Sequence, residues 1–186
     1  MKRAQLAHIL RSAAQIVDDP DILVIGSQAI LGTFGEDDLP EEAWMSVEAD
    51  VAFFDDPDAT KADRVDGAIG EMSPFHRMNA YYAQGVEIST AILPDGWRDR
   101  LVRFDSHSAE PATALCLERH DLVISKLAAR REKDYAFGAA LLAADLVTLE
   151  TLLERAASLP DEHGTTRAAV IAWLEATGRK VSPPGR

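Results

Sequence analysis

From Arg3 to Val17 the apolar residues Leu6, Ile9, Leu10, Ala13 and Ile16 recur at helical spacing, which predicts an amphipathic helix over 3–17. Asp18-Asp19-Pro20-Asp21 interrupts it. Ile22 to Ile25 is then a short continuous apolar run, the pattern of a buried strand. Gly26-Ser27 follows, and Gln28 to Thr33 predicts a short helix. An acidic loop covers 34–43. Met45 to Phe54 alternates as a second strand, closed by Asp55-Asp56-Pro57-Asp58, and 59–71 suits a helix. Gly85 to Leu93 predicts a third strand, ended by the turn Pro94-Asp95-Gly96, and Leu101 to Phe104 a fourth. From Asp121 to about Arg179 the pattern is helical, with breaks near Lys133, Val147 and Pro160. Strands in the first half and helices in the second make an α/β (α+β) chain with a mixed sheet. It divides into a core over 1–120 and a helical portion over 121–186 packed on it as one unit. Ser182 to Arg186 reads as a frayed tail.

The second strand carries the first candidate chemistry. Side chains alternate across a strand, so Val47, Ala49, Val51 and Phe53 face a core while Ser46, Glu48 and Asp50 face the other way. Carboxylates two residues apart on one strand face stand ~7 Å apart at Cα, close enough to converge on one ion. Held that close they repel unless a cation or a donor compensates them, and a divalent metal with oxygen ligands does so. A half-exposed strand with its polar face in water shows the same alternation. The first strand supplies a second part: an apolar run ending in Gly26-Ser27 and entering a helix presents backbone N–H groups and a hydroxyl to an anion.

Composition narrows the classes. The hydrophobic fraction of 47% with 27% charged residues is that of a globular chain of 186 residues. No apolar run approaches the ~20 residues that span a bilayer. The N-terminal segment lacks a signal-peptide core. Cys116 stands alone in an apolar stretch, which fits a small core residue in a reducing compartment, and the expected location is cytoplasmic with no membrane partner. A formal net charge of −12 argues against general adhesion to nucleic acid or acidic membranes. That charge is uneven: residues 36–63 are acidic, whereas Arg119, Lys126, Arg130, Arg131 and Lys133 lie close together. The five histidines show no ligand spacing, so no zinc site is expected. Trp97 could stack on a base or pack beneath the turn before it; packing is the better reading.

An apolar strand, Gly26-Ser27, a helix and a strand bearing Glu48-x-Asp50 together resemble the nucleotidyltransferase superfamily, in its minimal branch related to AbiEii-type toxins. The resemblance continues through Thr90-Ala91-Ile92-Leu93-Pro94-Asp95-Gly96-Trp97-Arg98-Asp99-Arg100-Leu101 and His120-Asp121-Leu122. It continues again through Ser125-Lys126-Leu127-Ala128-Ala129-Arg130-Arg131-Glu132-Lys133-Asp134, and covers roughly residues 20–145. It implies Glu48 and Asp50 as ligands of Mg2+ (or Mn2+), and Gly26 and Ser27 as holders of a triphosphate tail. Lys126 and Arg130 are implied as phosphate contacts from the helical side, sharing a helix face with Lys133. That face could equally be a solvated one, with pairs such as Arg130–Asp134. Two features depart from the family pattern. Glu48 stands where most active members carry Asp, and a third carboxylate from a later strand has Glu87 as its candidate.

The implied reaction is transfer of a nucleoside monophosphate from a nucleoside triphosphate to an acceptor hydroxyl, on RNA (tRNA included) or protein, with pyrophosphate leaving. The implied setting is one half of a toxin–antitoxin pair with a cognate antitoxin as partner. The competing expectation is a chain of the same fold that has lost transfer and binds a nucleotide, an RNA or a partner protein.

Overall fold

The computed structural model describes residues 1–181; the expected tail over 182–186 lies outside the described residues. The chain runs α1 (Arg3–Val17), β1 (Asp21–Val24), a 3-10 stretch (Ser27–Gly32), α2 (Glu41–Trp44), β2 (Glu48–Phe53), α3 (Thr60–Ile69), α4 (Pro74–Asn79), β3 (Tyr82–Gly85), β4 (Val102–Arg103), β5 (Thr113–Cys116), α5 (Arg119–Ala129), α6 (Glu132–Ala143), α7 (Leu149–Ala157) and α8 (Gly164–Val181). The five strands form one mixed sheet in the order β3-β2-β1-β5-β4. β1 is antiparallel to β2 and parallel to β5, β2 is parallel to β3, and β4 is antiparallel to β5.

The centre of the sheet is apolar on both sides, as expected of strands covered by helices. Ile22, Leu23 and Val24 of β1 are fully buried, and so are Ala49, Val51 and Ala52 of β2. α3 packs on α1 and on β3, and Gly85 is needed there because a Cβ would run into the Ala62 carbonyl of α3. α5 is the hub of the helical half, touching α6, α7, α8 and the 3-10 stretch that follows β1. Leu122, Val123, Ile124 and Leu127 on it are fully buried, each worth roughly 1.5–3 kcal/mol of removed apolar surface. Leu141 and Leu142 of α6 are buried with them, so one core runs through both halves of the chain. Glu118 caps α5, its carboxylate accepting from the backbone N–H groups of His120 and Asp121. Among the described residues no helix is long and apolar enough to cross a membrane.

Several expected elements shift. The helix expected over Gln28–Thr33 is a 3-10 stretch beginning at Ser27. The acidic loop over 34–43 contains a 3-10 turn and the start of α2. β2 begins only at Glu48, leaving Met45 and Val47 exposed at 58% and 48%, so Val47 does not join the core face. The third strand lies earlier than expected, at Tyr82–Gly85, and Ile88–Thr90 is a 3-10 turn. Two elements were not foreseen. α4 starts on a Ser73 cap with Pro74 in its first turn, and β5 forms from Thr113-Ala114-Leu115-Cys116. Cys116 is fully buried on β5, and burial pushes its thiol up to about 12, consistent with a core role.

Candidate functional site

The antiparallel register of β1 and β2 sets Val24 against Val51, and the Ile25 N–H donates to the Asp50 carbonyl at 3.2 Å. This brings the Gly26-Ser27 turn directly beside Asp50. The approach is so close that a Cβ on Gly26 would overlap the Asp50 carboxylate, which is why glycine stands there. Gly26, Ser27, Glu48 and Asp50 line a cleft of about 710 Å³. That volume suits a nucleotide-sized ligand.

The helical half contributes Ser125, Lys126, Arg131, Lys133 and Asp134 to the lining of the same cleft. The Lys126 side chain is 13% exposed and pairs with Asp134 at 3.6 Å. Asp134 is buried and also accepts from Arg131, at 2.6 Å from Nε and 3.3 Å from Nη2. A buried carboxylate thus fixes two cations at the cleft wall. Burial lowers the Lys126 ammonium below its ordinary value, while Asp134 and Asp50 pull it back up.

Asp50 has the opposite balance. Burial raises its carboxyl above the ordinary value, the neighbouring Glu48 charge raises it further, and Lys126, Arg131 and Lys133 oppose the rise through space. Glu48 is half-buried, and the Tyr82 hydroxyl donates to its Oε2 at 2.6 Å. Burial, and then the Glu48 contact, push that phenol well above its usual range, so it stays a donor.

Two expected site residues fall elsewhere. Glu87 is not on a strand: it lies exposed in the loop after β3, accepts from the Ser89 hydroxyl at 3.2 Å and does not line the cleft. The residue in register with Asp50 on β3 is Gln84, which does line it. Arg130 also points away. α5 ends there in a left-handed cap (φ 57°), and the guanidinium donates to the Thr165 carbonyl and the Thr166 hydroxyl. The break resets the helical phase, so Lys126, Arg130 and Lys133 do not form one stripe, and Arg131 takes the cleft position expected of Arg130. The expected Arg130–Asp134 pair is replaced by Arg131–Asp134.

The motif around Trp97 is structural. Trp97 is half-buried, with the Arg98 guanidinium 4.7 Å from its ring centroid. Arg100 makes a two-pronged contact with the fully buried Asp121, at 2.8 Å and 3.0 Å, and Arg155 approaches the same carboxylate at 3.3 Å. Residues 93–100 are thereby tied to α5 and α7, away from the cleft.

Glu48 and Asp50, two carboxylates lining the cleft, are the oxygen donors that a hard divalent cation would take. Among the described residues no group of three or more His, Cys, Asp or Glu is gathered to form an all-protein cage.

No curated protein and no solved structure matches the chain. The family described as "Nucleotidyltransferase of unknown function (DUF6036)" matches residues 4–179, which takes in the sheet, the Gly26-Ser27 turn, both carboxylates and the helical wall of the cleft. The chain belongs to that nucleotidyltransferase family.

Proposed function

We propose that the cleft binds a nucleoside triphosphate with Mg2+ (or Mn2+) and transfers the nucleoside monophosphate to an acceptor hydroxyl on RNA, tRNA included, or on protein. One observation carries this reading: the Asp50 carboxylate packs on Gly26, and Lys126 and Arg131, both held by Asp134, line the same cleft. Anionic ligands for a metal and fixed cations in one cleft suit a triphosphate neutralised by both.

In this reading Glu48 and Asp50 hold the metal ion, which supplies charge neutralisation at the triphosphate when bound. The Gly26-Ser27 turn offers its backbone N–H groups and a hydroxyl to the phosphate tail. Lys126 and Arg131, held in place by Asp134, bind phosphate oxygens and stabilise the negative charge that builds on pyrophosphate as it departs. The acceptor oxygen forms a bond to the α-phosphorus as the bond to the bridging oxygen breaks; pyrophosphate leaves, and the acceptor's proton passes to solvent.

A second reading keeps the binding and drops the transfer, and Gln84 favours it. An amide stands in register beside Asp50 where a carboxylate could take the acceptor's proton, and Glu87 does not lie in the cleft. The finer proposal, an AbiEii-like toxin with a cognate antitoxin, is supported by the Ser125–Asp134 block, whose Lys126, Arg131 and Asp134 all line the cleft. Incubation with each labelled nucleoside triphosphate, Mg2+ and cell lysate separates these readings. Label on RNA or protein that is lost in Asp50→Ala supports transfer. Tight Mg2+-dependent nucleotide binding with no labelled product supports the binder.

A further inference from the structure

Glu48 and Tyr82 occupy directly paired positions on the parallel strands β2 and β3. Cross-strand partners stand side by side on one sheet face, so their side chains leave the sheet in the same direction. The Tyr82 hydroxyl meets Glu48 Oε2 at 2.6 Å, the short distance of a charge-assisted O–H···O bond. The Tyr82 ring is itself fixed: the residue is 9% exposed, and the His76 ring lies 4.6 Å away between centroids. A tyrosine held in this way presents its hydroxyl at one place.

We propose that Tyr82 is a positioning residue for the cation site: it pins one oxygen of Glu48 so that the other is turned toward the ion shared with Asp50. This rests on the metal reading above and reverses the meaning of the glutamate. The extra methylene of Glu48, relative to aspartate, is the length that reaches the Tyr82 hydroxyl, so Glu48 and Tyr82 form a matched pair. A free glutamate would divide its time among several rotamers, and the metal would have to order it on binding. With Tyr82 attached, most of that ordering is done before the metal arrives. Partners that orient ligating carboxylates in this manner are commonly worth 10–100-fold in metal affinity.

The test is Mn2+ binding to the purified full chain, measured by the loss of the free-ion paramagnetic resonance signal, with melting temperature recorded for every variant. Tyr82→Phe keeps the ring and removes only the hydroxyl. It should weaken Mn2+ binding roughly 10-fold or more while the melting curve stays close to wild type. Glu48→Asp, too short to reach Tyr82, should weaken binding by a similar factor. The double variant should be little worse than either single one, because both remove the same contact. Wild-type affinity in Tyr82→Phe overturns the proposal while leaving the metal site intact, as does tighter binding in Glu48→Asp. If wild type and Asp50→Ala both fail to bind Mn2+, the metal reading itself falls and takes the proposal with it. Should Tyr82→Phe not fold, Glu48→Asp decides the matter: weakened binding supports the pair and unchanged binding refutes it.

Discussion

Two aspartates, the fully buried Asp121 on α5 and the half-buried Asp50 on β2, sit in contrasting company. Asp121 is fully buried and enclosed by arginines, with Arg100 gripping both oxygens and Arg155 at 3.3 Å. Burial drives its carboxyl up, and the two guanidiniums oppose that rise at contact distance. Asp50 is pushed up by burial as well, but the largest charge effect on it comes from another carboxylate, Glu48, and its cations act only through space. One aspartate is a finished structural joint, binding residues 93–100 to the helical half. The other is an anion without a cation of its own, which folding alone gives no reason to keep. Incomplete compensation beside a cleft, more than burial, is therefore what marks Asp50 as a candidate ligand residue.

Breaking the finished joint should have the largest effect. Asp121→Ala leaves Arg100 and Arg155 without their shared partner. Both reach solvent in part, at 22% and 27% side-chain exposure, so the cost falls at the low end for a broken buried pair, about 3 kcal/mol. A scanning melt should show a fall of roughly 6–12 °C. A wild-type melting temperature would mean that the arginines do not hold the two segments together.

Lys126 lies between the extremes, since its partner Asp134 keeps a second cation. In Lys126→Met, Arg131 still satisfies Asp134 through two hydrogen bonds, so the fold should be retained. Triphosphate affinity should drop about 10-fold or more, the worth of one charged hydrogen bond. Titration calorimetry with a non-hydrolysable triphosphate checks this. Unchanged affinity would make the Lys126–Asp134 pair a joint of the Asp121 kind.

The same contrast explains what the sequence discloses. Glu48 and Asp50 can be read because strand alternation forces both to one face, and β1 with Gly26-Ser27 because an apolar run ends on a glycine. What depends on distant partners is hidden. The Arg100–Asp121 joint spans a loop, a strand pair and a helix start, and nothing local marks either residue as half of a pair. Tyr82 is hidden because its value comes from β2–β3 register, and Gln84 and Gly85 dilute the strand signal of that short segment. Arg130 lies off the cleft for a smaller reason: a single residue in left-handed conformation rotates everything after it, and Arg131 lines the cleft instead. Val47 fits the alternation, yet the strand starts one residue later.

The smallest effect is the sharpest test of Asp50 as an uncompensated anion. Its folded-state carboxyl is raised, so from the ordinary carboxylate range up to that raised value the native chain holds a proton that the unfolded chain has released. Across that window Asp50 contributes a fall in stability as pH rises, and above it the whole cost of the half-buried charge is present. Asp50→Asn removes the ionisation while keeping the shape. At neutral pH the variant should be more stable than wild type by about 0.5–1 kcal/mol, and its stability should no longer fall through that window. Divalent metal should invert the order. Mg2+ at ten times its dissociation constant adds about 1.4 kcal/mol to wild type, whereas Asp50→Asn, lacking the ligand, should gain little. Paired denaturant titrations with and without Mg2+, at pH 5 and pH 7.5, read both effects. If Asp50→Asn is less stable than wild type in the absence of metal, Asp50 has a compensating partner, and the distinction from Asp121 collapses.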